Sequence, residues 1–337
     1  MSQEAKLSPG QVAAPSPSAD RQPRLSDVGS QNRNDLGRAR KQRSLWGDAW
    51  SQFRKHRLAM VGLVVFVALV LFTFVGNAVY GRPYDSVFEY DSDMPPSLNN
   101  LLGTNSLGQD MLARILWGGR ISLAVGIIAA LIAITVGTTV GAISGFFGGI
   151  TDTLLMRITD LFLSLPPLTL LLLITYLFSP PLSNWSNDKF GSVNIGVFLL
   201  IIVVISAFGW MSTARLVRAS FMATKERDFV EAAYSIGASR RSLMLKHIMP
   251  NVLSPIIVAA TLGVGSAIIT ESTLSFLGLG FPPGVPSWGQ MLYDAKNYLQ
   301  TAPHESLIPG FFIFLTVLSI NYVGDGLRDA LDPRRTK

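Results

Sequence analysis

Polar and apolar positions fall in long blocks along this chain, and the blocks set the predicted elements. Residues 1 to about 45 are rich in Ser, Pro, Gln and Arg, with no aromatic side chain before Trp46. Such a segment buries too little apolar area to offset its ordering entropy, which predicts a disordered tail. Trp46, Trp50, Phe53 and Arg57 then follow at helical spacing, flanked by Arg54 and Lys55. That mix predicts an amphipathic helix over 46–57 lying on a bilayer surface. The competing reading is an ordinary amphipathic helix packed on protein. Beyond it, six stretches approach the ~20 mostly apolar residues that a crossing helix needs. They run from Leu58 to Tyr80, Ile121 to Phe147, Leu161 to Phe178 (with a more polar approach from Thr153), Ile195 to Met211, Val252 to Leu274, and Leu307 to Val323. The expected organisation is a polar tail over 1–45, an interfacial helix over 46–57, and a six-span all-α membrane domain over 58–337.

Charge sets the orientation of those spans. Only 15% of the 337 residues are charged, against a usual share of about 25%. With the N-terminus placed inside, nineteen Lys and Arg fall in the inner segments 38–57, 146–157, 211–251 and 327–337, and five in the outer segments 81–120, 179–194 and 276–305. Positive residues are retained on the cytoplasmic side, so both termini are expected in the cytoplasm. The net charge of +6 would by itself suggest nucleic acid. Its placement beside the spans points to a lipid bilayer instead, and no nucleic-acid partner is expected. The cluster Arg38, Arg40, Lys41 and Arg43 is read the same way, as attraction to anionic lipid.

Several chemistries are excluded. There is no cysteine, which removes disulfide scaffolds, zinc fingers and thiol catalysis. His56, His247 and His304 lie far apart and form no HExxH pair, so no metal site is expected. No GxxxxGK[ST] loop is present, and no lysine follows a glycine. The chain therefore has no usual cradle for nucleotide phosphates, no cofactor is expected, and any uphill work must draw on an ion gradient or a partner. Ionisable residues are scarce in the spans, which counts against a secondary carrier. The exception is Glu271, one turn from the outer end of the fifth span. It reads either as a carboxylate bonded to a neighbouring helix or as a group lining the translocation path. Arg157 and Asp160, at the approach to the third span, are three apart and suited to pair on one helix face. Gly137, Gly141 and Gly145 recur every four residues and make a flat stripe for close helix packing.

The longest inner connection, 227–251, is the most informative. Asp228 to Ser235 is a good helix former, Gly237 supplies a left-handed residue to end it, and Ser239 can cap the next helix. Pro250 is expected to stop that second helix and set up the fifth span. Leu243, Leu245 and Ile248 are expected to anchor the corner from the membrane side. Arg240, Arg241 and Lys246 alone would read as lipid contacts. A short rigid helix pair with a sharp corner suits docking into a cleft on another protein, which a membrane scaffold or sensor would not need.

In this segment Glu231, Ala232, Ala233, Gly237 and Pro250 stand in register with Glu-Ala-Ala, three residues, Gly, nine residues, Ile-x-Leu-Pro. That pattern is the EAA loop of ABC importer permeases, and the chain resembles them here, with His247 in place of Ile and Met249 in place of Leu. His followed by Ile is similar to the dipeptide/oligopeptide branch. Four further segments look like the C-type subunit of that branch. Leu102–Asp110 resembles LGTDxxGRD, with Asn105 for Asp and Gln109 for Arg. Leu155-Met156-Arg157 through Asp160, Ser275 through Gly289 with its Pro282-Pro283 and Pro286-Ser287-Trp288-Gly289, and Gly324 through Pro333 match in order.

The resemblance implies the type I ABC importer permease fold and a non-catalytic permease subunit. Implied partners are a B-type permease completing a heterodimer, two ABC ATPase subunits and an extracytoplasmic substrate-binding protein. The loop would be the coupling helix, with Glu231, Ala232, Ala233, Ser235, Gly237, Ala238, Ser239, Arg240, His247 and Pro250 in or beside the ATPase contact. The implied cargo is dipeptides or oligopeptides; nickel complexes, glutathione and opines belong to the same branch. The implied setting is the bacterial cytoplasmic (inner) membrane.

Overall fold

The computed structural model describes residues 45–332, so the tail over 1–44, its basic cluster and Pro333 lie outside the described residues. Among the described residues, six helices are long and apolar enough to cross a bilayer: α2 (Arg57–Tyr80), α3 (Met111–Phe147), α5 (Pro167–Phe190), α6 (Val193–Lys225), the run Arg240–Phe276, and α11 (His304–Ala330). That run comprises α8 (Arg240–Ser242), a π-helical turn (Leu243–Ile248) and α9 (Met249–Phe276). Shorter helices are α1 (Leu45–Phe53), α4 (Gly149–Ser164), α7 (Asp228–Ser235) and α10 (Trp288–Ala295). Among the described residues there is no strand, only an isolated bridge between Thr104 and Asp110.

Besides α3 starting at Met111 before Ile121 and α11 running past Val323 to Ala330, three expected boundaries change in kind. The apolar run 161–178 is two helices. Leu165 precedes Pro166 and is held extended (φ −82°, ψ 143°), and Pro167 opens α5 at a first-turn position. The crossing segment is therefore α5, and α4 stands apart from it. The fourth span continues as helix to Lys225: its 33 residues reach about 50 Å, well beyond a ~30 Å hydrocarbon core. Past Met211 the unbroken apolar run gives way to an amphipathic stripe, and Ala214, Val217 and Phe221 stay buried along it. The third change is at Pro250, which does not end a helix. The π-helical turn widens the chain just before it, the Met249 N–H bonds to the Met244 carbonyl, and the Asn251 side chain donates to the His247 carbonyl at 2.7 Å. The helix therefore runs on through the proline.

α1 ends at Phe53, and the chain turns over Arg54–His56 before α2. Phe53 is buried beside Ala59 and Ala330, whereas Trp50 is exposed and stacked on Phe53 with ring centroids 5.8 Å apart. This short helix thus has one side on the bundle and one side outward.

The bundle closes tightest where α3 meets α6. A Cβ on Gly137, Gly141 or Gly145 would fall within 3.0 Å of the carbonyl oxygens of Trp210, Ala214 and Arg218 respectively. One face of α3 thus lies against the backbone of α6 over two turns, a spacing that larger residues forbid. At the opposite end from the 227–251 loop, residues 81–110, α10 and the start of α11 form a polar cap. Asp110 caps α3 and receives bonds from Tyr80 and Arg82, each 2.9 Å. The fully buried Trp288 donates its indole N–H to the Ile115 carbonyl at 3.1 Å. In the 102–110 segment amides stand where the resemblance has charges. Asn105 donates to Gln109 at 2.9 Å and accepts the Gln109 N–H at 2.8 Å, while Arg114 donates to the Gln109 side chain at 2.5 Å.

Candidate functional site

The 227–251 loop is built by local chemistry. Asp228 and Glu231 place carboxylates in the first turn of α7, where they complement the helix dipole. The far end closes in a Schellman motif: the Gly237 N–H bonds to the Tyr234 carbonyl (2.9 Å) and the Ala238 N–H to the Ala233 carbonyl (3.1 Å). Gly237 sits at φ +88° with nothing within 4 Å of where a Cβ would stand. Ser239 then caps α8 by accepting the Ser242 N–H at 3.3 Å. Ser235 turns its hydroxyl back on the Glu231 carbonyl at 3.0 Å.

The corner is seated by Val230, Ala233, Leu243 and Ile248, all buried with Phe221 and Phe146 at the ends of α6 and α3. Leu245, expected among the anchors, is exposed instead. The π-helical turn explains the change. In a regular α-helix positions five apart lie about 140° round the axis, but a turn bonded i to i+5 nearly superposes Leu243 and Ile248. Leu245 then faces away from both. Glu231, Ala232, Ser235, Ser239, Arg240 and Pro250 are exposed, His247 and Ala238 are partly buried, and Ile236 is 87% exposed with Tyr234 beside it. Glu231, Tyr234 and Arg240 share the wall of a cavity of about 450 Å³ with Phe147 and Lys225. The loop therefore presents an apolar edge outward from a well-anchored base.

Glu271 is enclosed within this chain. Its carboxyl is fully buried and accepts hydroxyl bonds from Ser122 of α3 (3.0 Å) and from Ser275 (2.8 Å) and Ser272 (3.4 Å) of its own helix. This is the neighbouring-helix alternative. A separate cavity of about 260 Å³ opens between α3, α5, α6 and α9, and small residues such as Ala133, Gly209, Gly263, Ser266 and Thr270 line it while Glu271 does not. Asp160 is also reassigned. It pairs with Arg215 of α6 at 2.6 Å rather than with Arg157 one turn earlier, because α4 lies along α6 and offers it a closer cation.

Sequence reasoning missed Asp152 as a site residue. Arg218 donates to it through Nε and Nη2 (2.5 and 2.6 Å), and Ser144 of α3 donates a third bond. The signal was present: Asp152 and Asp160 are eight apart on α4, and Arg215 and Arg218 three apart on α6. The Arg218 guanidinium beside Asp152 holds its carboxyl below the usual carboxylate range, with the Ser144 bond adding to the effect. A depressed folded-state pKa contributes stability that is complete above the unfolded value near 3.9 and is lost as pH falls through the folded value. Asp152→Asn is therefore expected to melt below wild type at pH 7, and the two melting curves should converge as the pH drops below about 4. Thermal unfolding of the purified protein across that range checks it, and a gap that persists in acid would assign the effect to packing.

Six crossing helices with a seated helical corner at one end and a folded cap at the other define a multi-pass helical membrane protein. Residues 137–337 match the family described as "Binding-protein-dependent transport system inner membrane component", and residues 44–99 match "N-terminal TM domain of oligopeptide transport permease C". The chain is 38% identical over 299 residues to the oligopeptide transport system permease protein OppC of Bacillus subtilis (strain 168), covering 89% of this chain and 93% of that one. It is 38% identical to the dipeptide transport system permease protein DppC of Alkalihalophilus pseudofirmus (86% and 90% covered). It is 37% identical to the glutathione transport system permease protein GsiD of Escherichia coli O157:H7 (87% and 91% covered). The chain belongs to the family of inner-membrane components of binding-protein-dependent transport systems, and it is a multi-pass permease of the peptide and glutathione branch.

Proposed function

We propose that this permease carries dipeptides or oligopeptides inward as one half of a translocation pathway, driven by ATPase subunits that its 227–251 loop engages. A B-type permease supplies the other half, and the binding protein delivers cargo at the cap end. The loop end faces the cytoplasm, as the excess of Lys and Arg there favours. One observation carries the coupling reading: a rigid corner, closed at Gly237 and seated on the ends of α3 and α6, holds Tyr234 and Ile236 outward with nothing among the described residues to cover them. A force on that corner reaches two crossing helices directly, which is what a rigid-body switch requires. ATP must bind one state better than the other for the push to have direction. The peptide reading is supported by the oligopeptide and dipeptide relatives; the glutathione relative has almost the same identity and makes glutathione the second reading.

The chain has no native cysteine, so a single introduced thiol reports cleanly. Ile236→Cys is expected to react with a membrane-impermeant maleimide only from the cytoplasmic side, and to be protected when the ATPase subunits are bound. Labelling from outside, or no protection, would overturn the coupling reading. Uptake of labelled dipeptide, oligopeptide, glutathione and nickel chelate by the complete transporter then settles cargo. The peptide reading fails if only a non-peptide enters.

A further inference from the structure

We propose that Asp152 is a positioning residue for transport: its carboxylate locks the ends of α3, α4 and α6 into one body, so that displacement of the coupling loop reaches the membrane instead of being lost at the α3–α4 corner. This inference rests on the coupling reading above and names the residue that makes it mechanically effective.

The corner between α3 and α4 is Gly148-Gly149, at φ +65° and +54°, and neither has an atom within 4 Å of where a Cβ would stand. Glycine in open space fixes no angle. Apolar packing does little for the start of α4, since Ile150, Leu154 and Leu161 are exposed and the ring contacts of α4, Phe162 with Phe208 and Trp210 of α6, lie at its far end. What spans the corner is polar. Asp152 accepts Ser144 from α3 and both Nε and Nη2 of Arg218 from α6, so one carboxylate ties three helices. Its side chain is 17% exposed, whereas Asp160, in the companion pair with Arg215, is 53% exposed. Exposed pairs contribute little, and a bidentate, partly buried Arg–carboxylate pair contributes more. Asp152 therefore dominates the hold on α4.

The same stretch of α6 leads into the loop. The Arg218 carbonyl lies against Gly145 of α3, Phe221 is fully buried in the cluster beneath the corner, and Lys225 donates to the Phe146 carbonyl at 2.8 Å. From Arg218 to Lys225, α6 is thus packed on α3 and, at Lys225, bonded to it, and α7 begins three residues further on. With Asp152 in place, α4 moves with this body. Without it, the start of α4 is free to shift on two glycines, and only the exposed Asp160–Arg215 pair and Phe162, further along, still hold the helix to α6.

The test uses the complete transporter in proteoliposomes, with import and ATP hydrolysis measured on the same sample. Asp152→Asn is expected to lower import per ATP hydrolysed about tenfold, with hydrolysis undiminished. The exchanged pair Asp152→Arg/Arg218→Asp is expected to recover a substantial part of that ratio. An unchanged ratio in Asp152→Asn, or an exchanged pair no better than the single variants, overturns the proposal. Where Asp152→Asn assembles poorly, the exchanged pair decides alone; failure of both to assemble also overturns it, because the bond is then a folding requirement. A Gly237→Val transporter run in parallel separates the two readings: if it couples normally the loop itself is not the lever, whereas uncoupling by Gly237→Val with normal coupling in Asp152→Asn removes only the role of Asp152.

Discussion

Gly237→Val is expected to reduce import by at least about tenfold while the protein still folds, inserts and assembles. The two halves of that outcome come from one geometry. Gly237 holds φ +88°, a region that costs an L-residue roughly 1–2 kcal/mol and a β-branched one more. No atom stands within 4 Å of the added Cβ, so the penalty is backbone strain and not a clash. The Schellman bonds from Gly237 to Tyr234 and from Ala238 to Ala233 must loosen to relieve it. The buried anchors Val230, Leu243 and Ile248 lie outside those bonds and keep the loop attached. Tyr234 and Ile236 then lose their fixed direction, and the lever goes soft without the protein unfolding. Gly237→Asn is the control, because asparagine adopts left-handed backbone at modest cost, and it should import near the wild-type rate. Normal import by the valine variant would show that the corner transmits nothing.

Gly141→Leu is expected to do the opposite, destroying the protein rather than its coupling. Gly141 lies at the middle of the α3–α6 contact, where a Cβ falls within 3.0 Å of the Ala214 carbonyl oxygen and of Val217. Backbone cannot move aside as the tip of a long side chain does. The two helices must separate, and overpacking of this kind costs about 3 kcal/mol or more, a large part of the stability of a typical domain. Membrane-inserted yield and melting temperature should both fall sharply. Gly263→Ala is the comparison: its nearest neighbour is the Ala130 Cβ at 3.8 Å, an ordinary contact, and the variant should behave as wild type. Equal stability of Gly141→Leu and wild type would mean that the two helices do not meet there.

The parts of this molecule that are legible in its sequence are those built by neighbours in the chain. Helix α7 spans Asp228–Ser235 as read, Gly237 takes the left-handed turn, and Ser239 caps α8, because each depends on residues within one turn. The six crossing segments are legible for the same reason, as runs of apolar residues. What escaped is amphipathic helix, a proline break inside an apolar run, or distant contact. The last turns of α6 carry an amphipathic stripe, Ala214, Val217 and Phe221, in place of the unbroken apolar run by which a span is read, so the continuation to Lys225 was missed. The Pro166-Pro167 break was visible but masked by the apolar residues on both sides of it. The partners of Asp152 and Asp160 lie on another helix, and no local rule points from Asp160 to Arg215. Glu271 offered two readings in the sequence, and its bond to Ser122, far off in the chain, has no local signal.

The wide turn at Leu243–Ile248 sets the azimuth of everything beyond it. One residue more or less in a helix rotates its downstream half by about 100°. Regularising that turn would swing Met249 through Phe276 by roughly that angle about the helix axis. Glu271 would leave its ring of serines, and Ser266 and Thr270 would leave the cavity wall. The face that α9 offers to the middle of the membrane is thus chosen some twenty residues away, at the root of the loop, by a single surplus residue in one turn.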